Sequence, residues 1–170
     1  MNTIPQIINN FNIYKDGNQL IGVSGEVTIP DFEGNAEAIS GAGLLGEFEA
    51  VNPGQFSAQE FELPFRVLYG DVFTVFGSDP ANLTLRGSLQ ISNGNGEKEY
   101  KQLRVIVQGS PKKLTGGTVS AGKTMSASVT LALTYIKIEI DGETSVELDK
   151  LNSVFVVGGV DKLAAIKALI

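Results

Sequence analysis

The sequence of 170 residues contains no histidine and no cysteine. Without cysteine there is no disulfide framework, no thiol nucleophile and no cysteine-based metal site. Without histidine there is no Ser-His-Asp triad, no imidazole base near neutral pH and no histidine-ligated zinc. Any catalysis would fall to carboxylates, lysine or tyrosine. Cations are scarce too: Lys plus Arg number 13 against 19 Asp plus Glu, a net charge of −6. Phosphate binding rests on a local surplus of cations, so specific nucleic-acid binding is not expected. No apolar run reaches the ~18–20 residues that cross a bilayer. Met1-Asn2-Thr3-Ile4-Pro5-Gln6 lacks the basic and apolar regions of a secretory signal. The expectation is a soluble protein made in the cytoplasm, with no membrane partner.

What is present points to β structure. At roughly 100–200 residues per domain, the chain makes one domain, residues 1–170. Hydrophobic residues make up 42% and charged ones 19%, which gives no sign of disorder, and the 20 glycines favour a turn-rich β protein. Phe11–Lys15 and Asn18–Gly22 flank Asp16-Gly17 and predict a hairpin. Glu26-Val27-Thr28-Ile29-Pro30 alternates as a short strand stopped by its proline. Residues 31–57 carry five glycines and little rhythm, which predicts a long loop with a task of its own. Phe61–Leu68 is strand-like, with Pro64 marking an edge or a bulge, and Asp71 could cap a short helix through Phe76. Leu83–Ile91 and Leu103–Val107 read as strands around an exposed Asn93–Gly96 loop. Met125–Asp141 is the longest β pattern and returns through Asp141-Gly142 as Thr144–Leu148. Gly159–Leu169 is the best helix, rich in Ala, Leu and Lys with an early Asp.

Within Met125–Asp141 the alternation changes phase. Val129, Leu131, Leu133 and Tyr135 are bulky at odd positions, whereas Ile136, Ile138 and Ile140 are bulky at even ones. A regular strand cannot do this and keep one dry face, so a bulge near Tyr135 or a second surface for the far half is required.

Several motifs are decoys. Gly117-Thr118-Val119-Ser120-Ala121-Gly122-Lys123-Thr124 matches the Walker A pattern. That motif needs a helix after the loop, and here a β-forming alternation follows. Gly41-Ala42-Gly43-Leu44-Leu45-Gly46 matches the dinucleotide fingerprint, but carboxylates and Pro53 follow where a helix should open. Ser120-Ala121-Gly122-Lys123 lacks the partner motifs of a serine hydrolase of the S-x-x-K type. Asn82-Leu83-Thr84 fits a glycosylation acceptor by chance. Glu47, Glu49, Glu60 and Glu62 read as solvated surface rather than a catalytic pair, and Lys112-Lys113 is too small a patch for nucleic acid.

An ordered set of segments carries a resemblance over nearly the whole chain. Asn10–Gly17, Glu26–Pro30 and Ile39-Ser40-Gly41-Ala42-Gly43 come first. Leu85-Arg86-Gly87-Ser88, Leu133–Gly142 and Gly158-Gly159-Val160-Asp161-Lys162-Leu163-Ala164 follow. Together these resemble the major tail tube proteins of contractile-tailed bacteriophages and of phage-tail-like bacteriocins. Gly158-Gly159 stands where the resemblance would place Asn-Gly. The resemblance implies a mainly β fold, a β-barrel or sandwich of antiparallel strands with a short flanking helix and a C-terminal helix, similar to the type VI secretion tube protein. It implies a structural subunit rather than an enzyme, with no cofactor. It further implies homohexameric rings stacked into a hollow tube that passes DNA or ions, and a place in a virion tail or tail-like particle assembled in the bacterial host cytoplasm. Contractile sheath protein, baseplate and tape measure protein would be the partners.

Within that resemblance, Ile39, Gly41, Gly43, Leu44, Leu45, Phe48 and Ile138 are expected at ring contacts. Glu47, Glu49, Glu97, Ser128, Thr130 and Thr134 are expected to face the lumen, where acidic walls would repel DNA. The alternative is a monomeric β-sandwich binding module or adhesin; a carboxylate-dependent hydrolase is a third reading.

Overall fold

The computed structural model describes residues 2–170. In chain order the strands are β1 (Ile4–Lys15), β2 (Asn18–Gln19), β3 (Gly34–Ile39), β4 (Phe48–Phe56) and β5 (Glu60–Phe65). Helix α1 (Gly70–Phe76) precedes β6 (Ala81–Ser92), β7 (Lys98–Thr115), β8 (Ala127–Ile140) and β9 (Glu143–Asp149). The chain ends with β10 (Val154–Val157), β11 (Val160–Asp161) and the single-turn helix α2 (Ala164–Lys167). The mainly β reading therefore holds.

One antiparallel sheet runs β11-β10-β9-β8-β7-β6-β1-β2, with β5 on β8 beside it. Asp16-Gly17 and Asp141-Gly142 take positive φ at both residues, the requirement of the tight hairpin turn that their sequences suggest. The sheet curls so that residues 20–24 bridge β1 to β5. Leu20 N–H donates to Ile13 O at 2.8 Å, Ser24 N–H to Pro64 O at 3.0 Å, and Arg66 N–H to Gly22 O at 2.9 Å. Inside this partial barrel lie Ile13, Phe61, Leu63, Phe65, Leu83, Val105, Val107, Val129, Leu131, Ile136 and Leu148. Helix α1 adds Val72 and Val75, spaced one turn apart and both fully buried. Each such side chain contributes about 1.5–3 kcal/mol of transfer free energy against the conformational entropy of folding.

The phase change in β8 has the structure its pattern demands. Tyr135 pairs with Gln108 but Leu133 pairs with Gly109, so Thr134 is the inserted residue. Before the bulge β8 buries Val129, Leu131 and Leu133; after it, Ile136. The same point is where β8 exchanges its second partner, from β5 over 127–132 to β9 over 135–140. Gly109 permits the close approach, since a Cβ there would lie 2.3 Å from the Ala132 carbonyl oxygen. Two further bulges insert Gln6 and Asn9 into β1, which keeps Ile8, Phe11 and Ile13 in register with Leu89, Gly87 and Leu85.

Five expectations need correction. Residues 26–30 join no ladder, although Val27 and Ile29 still pack toward the core. Residues 31–57 are not an unstructured loop, because β3 and β4 pair as a separate two-stranded sheet. The longest strand is β7 with 18 residues, not β8 with 14. The C-terminal helix is only Ala164–Lys167, because Val160-Asp161 is drawn into a ladder with β10. With no buried face, so short a helix has nothing beyond propensity to extend it. Asp71 stands in the first turn of α1, but Tyr69 occupies the cap position and no side chain caps it.

Candidate functional site

The β3–β4 hairpin is the part of the chain least occupied with its own fold. Ala36 pairs with Val51, Glu37 with Ala50, Ala38 with Glu49 and Ile39 with Phe48. Its base is fixed: Phe56 packs edge-on against Phe32 at 5.7 Å and Phe155 at 5.1 Å. Ser57 N–H donates to Glu33 O at 2.9 Å, and the Gln59 side-chain amide donates to Asp31 O at 2.8 Å. Lys150 Nζ donates to Ser57 O at 3.4 Å, and burial pulls that ammonium below its ordinary pKa. Beyond this base little is covered. Leu45 at the tip is fully exposed, Phe48 is 51% exposed and Val51 61%. A lone two-stranded hairpin is marginal in water, and an apolar exposed patch of this kind marks an interaction surface.

Charge is concentrated there as well. Residues 31–57 hold Asp31, Glu33, Glu37, Glu47 and Glu49 and no Lys or Arg. That leaves 14 acids against 13 cations in the rest of the chain, so this segment carries five of the six net negative charges.

The outer face of the main sheet is the second candidate surface. Gln90 donates to Gln6 Oε1 at 2.7 Å, Asn9 donates to Gln90 Oε1 at 2.8 Å, and Ser88 Oγ donates to Asn9 Oδ1 at 3.4 Å. The inserted bulge residues Gln6 and Asn9 are thus what complete an uncharged amide row. Farther along, Glu139 lies between Lys137 at 3.0 Å and Arg104 at 3.6 Å, and Arg86 stacks 4.8 Å from the Tyr14 ring. Tyr135 donates to Glu147 Oε1 at 3.2 Å, and burial together with that carboxylate pushes its pKa up to about 12.

The residues expected at contacts and lumen do not form one site. Ile39, Gly41, Gly43, Leu44, Leu45 and Phe48 gather on the hairpin and its tip, with Glu47 and Glu49 among them. Glu97 sits far away, closing the β6–β7 turn by accepting from Asn93 Nδ2 at 2.9 Å. Ile138 is partly buried and packs against its own core. Ser128 is 5% exposed between its ladder partners Pro64 and Thr115, which removes it from any channel wall. Thr130 and Thr134 are half-buried, and Thr134 Oγ1 donates to Gln108 O at 3.4 Å. The amide row and Val51 were not anticipated. The Gln6 to Asn12 amides and the charge imbalance of residues 31–57 were the available signals.

The motif decoys resolve as expected in kind. Lys123 lies in the loop before β8, with no helix following, and Gly41–Gly46 is the hairpin tip. Among the described residues no group of three acidic side chains is placed to hold a metal ion, and no helix is long and apolar enough to cross a membrane.

The family model of the phage tail tube protein FII matches residues 5–170. The tail tube protein of Escherichia phage P2 is 26% identical over 166 residues, which is 94% of each chain. A chain in the sheath/tube terminator of an extracellular contractile injection system shares the fold. It does so with a TM-score of 0.56 at 16% identity, covering 79% of this chain and 96% of its own. A chain of the sheath–tube complex of such a system gives 0.52 at 17%, covering 76% and 88%.

Proposed function

The chain belongs to the phage tail tube protein FII family, and from that membership we propose how it assembles and what its surfaces do. It is a structural component of a phage tail or tail-like particle, not an enzyme. In our reading its copies form homohexameric rings that stack into a hollow tube inside a contractile sheath, with baseplate and tape measure protein as further partners. DNA or ions pass through the bore.

The observation that supports this most directly is the β3–β4 hairpin. A monomer gains nothing from exposing Leu44, Leu45, Phe48 and Val51, whereas a stacked subunit covers them. We assign Ile39, Gly41, Gly43, Leu44, Leu45 and Phe48 to contacts between rings. The outer sheet face supplies the bore, with the amide row, Thr130 and Thr134 in its wall. Uncharged amides and a balanced set of charges give a moving phosphate backbone no cationic patch to bind. The extended, sheath-bearing particles that hold the structural relatives motivate the choice of a contractile tail.

Electron microscopy of the purified chain tests this reading. Rings or tubes with a central hole are expected, and the six-fold order can be counted in end views. A strictly monomeric species at tens of micromolar, with no ring on the grid, would refute it in favour of a monomeric binding module.

A further inference from the structure

The turn between β6 and β7 reads Asn93-Gly94-Asn95-Gly96-Glu97, and Asn93 and Asn95 are the two asparagines of the chain that a glycine follows. A following glycine leaves the next main-chain nitrogen unshielded, because no Cβ stands beside it. That nitrogen can attack the asparagine side-chain carbon and close a five-membered succinimide ring. In a loose loop the two motifs would react alike. This turn treats them differently.

Asn93 is 8% exposed, and its amide is held on both sides. Its Oδ1 accepts from Asn95 N–H at 2.9 Å and from Glu97 N–H at 3.0 Å, while its Nδ2 donates to Glu97 Oε2 at 2.9 Å. Gly94 N–H takes no part in the backbone hydrogen bonds of the turn. To meet it, however, the Asn93 side chain must leave all three of its own bonds at once. Asn95 is exposed, and none of the turn's hydrogen bonds holds its side chain. Its nucleophile, Gly96 N–H, is restrained by one bond to Asn93 O at 3.1 Å. An exposed bond at a turn opens locally without global unfolding, so releasing it is the smaller requirement.

We propose that Asn95 is a site of spontaneous deamidation and that Asn93, two residues away, is protected by the fold. Gly96 N gives its proton to solvent base and bonds to Asn95 Cγ. The Cγ–Nδ2 bond breaks, and that nitrogen takes a proton from water and leaves as ammonia. Water then opens the ring at either carbonyl, giving aspartate or an isoaspartate whose main chain runs through the former side-chain carbon. By either route the turn that already holds Glu97 gains a second carboxylate. The β6–β7 ladder is complete at Ser92–Lys98, so the altered residue lies outside the pairing of the barrel.

The purified chain is incubated in mildly alkaline buffer made with heavy-oxygen water, once folded and once in denaturant. The new acid takes its oxygen from that water, so the label marks deamidation that occurs during the incubation. Cleavage after Arg86 and Lys98 releases residues 87–98 as one peptide, whose fragments locate the label by mass spectrometry. In the folded chain label is expected at position 95, with position 93 at background; in denaturant it is expected at both. Glu97→Ala removes the partner of Asn93 Nδ2 and should let label appear at position 93 in the folded chain. Asn95→Gln should abolish the acidic shift that the aged wild type shows on ion exchange. Folded wild type labelled at 93 as fast as at 95 would overturn the proposal. So would a folded chain labelled at neither position, since the Gly96 bond would then suffice to protect Asn95.

Discussion

Gly109→Ala is the sharpest test of the bulge that lets β8 serve two partners. A Cβ at position 109 would lie 2.3 Å from the Ala132 carbonyl oxygen, 2.8 Å from its carbon and 3.0 Å from Leu133 Cα. All three are backbone atoms, so no side-chain rotation relieves the clash. The oxygen is about an ångström inside ordinary contact, and the β7–β8 ladder must open locally to admit a methyl group. Overpacking of this kind costs ~1–3 kcal/mol, which outweighs the ~0.4–1 kcal/mol that an alanine gains by restricting the unfolded chain. For a chain of ~150–250 residues, 1 kcal/mol moves Tm by ~2–4 °C, so a fall of roughly 2–12 °C is expected. Gly94→Ala is the control, because nothing lies within 4 Å of its Cβ position and its φ is ordinary. The melts are followed by circular dichroism on dilute, unassembled protein, since association would add its own stabilisation. A Gly109→Ala variant melting with the wild type would mean that the bulge is not where the pairing places it.

Other consequences are more quickly stated. Ile136→Ala, which empties a fully buried site after the bulge, should cost ~2–5 kcal/mol in a denaturant titration, while Leu45→Ala at the hairpin tip should stay within ~0.5 kcal/mol in the free subunit. Lys123→Ala should change neither folding nor assembly, and saturating ATP should leave the wild-type Tm unmoved; a nucleotide-dependent rise would reopen the phosphate-loop reading. Tyr69 and Tyr135 are both pushed up to about 12, chiefly by burial. Between pH 10 and 12 the unfolded chain therefore loses these protons first, so stability present below pH 10 should decline across that interval. Tyr135→Phe should flatten the decline in a series of melts from pH 9 to 12, and an unchanged slope would show that burial does not raise the Tyr135 hydroxyl.

Much of the strand order could be read from the residues because alternation reports burial directly. The β6–β7 hairpin, the Asp141-Gly142 return and the bulge in β8 all follow from which positions are bulky. The failures have a common cause, which is that periodicity does not say whether a partner exists. Glu26–Pro30 alternates as well as any strand here, yet its neighbours within the chain stand a slot away. Residues 31–57 failed in the opposite sense. Their ladder pairs Ala36, Glu37, Ala38 and Ile39 with Val51, Ala50, Glu49 and Phe48, so both faces mix apolar residues with a glutamate and no polar-apolar alternation reveals it. Gly159–Leu169 has helical composition, but the exposed Asp161 side chain accepts from Leu163 N–H at 2.9 Å and commits its first residues to a turn. The site was legible where exposure follows from composition, as at Leu44 and Leu45. It was not legible where burial depends on distant pairing, as at Ser128 and Ile138.

A chain with an open strand edge and an uncovered apolar hairpin risks indiscriminate pairing before it reaches its proper neighbours. The charge distribution answers that risk. Residues 31–57 hold five carboxylates and no cation, and three of them, Glu37, Glu47 and Glu49, belong to the hairpin that carries Leu44, Leu45, Phe48 and Val51. Two hairpins approaching one another therefore repel over about a Debye length, ~8 Å at physiological salt. Like charge thus selects against a hairpin-to-hairpin isologous dimer, which would stop growth. Raising the salt should weaken this selection. At ~1 M, where screening shortens to ~3 Å, free subunits should gain irregular self-association that Leu45→Glu suppresses. Salt-insensitive association of the free subunit would show that the acids play no such part.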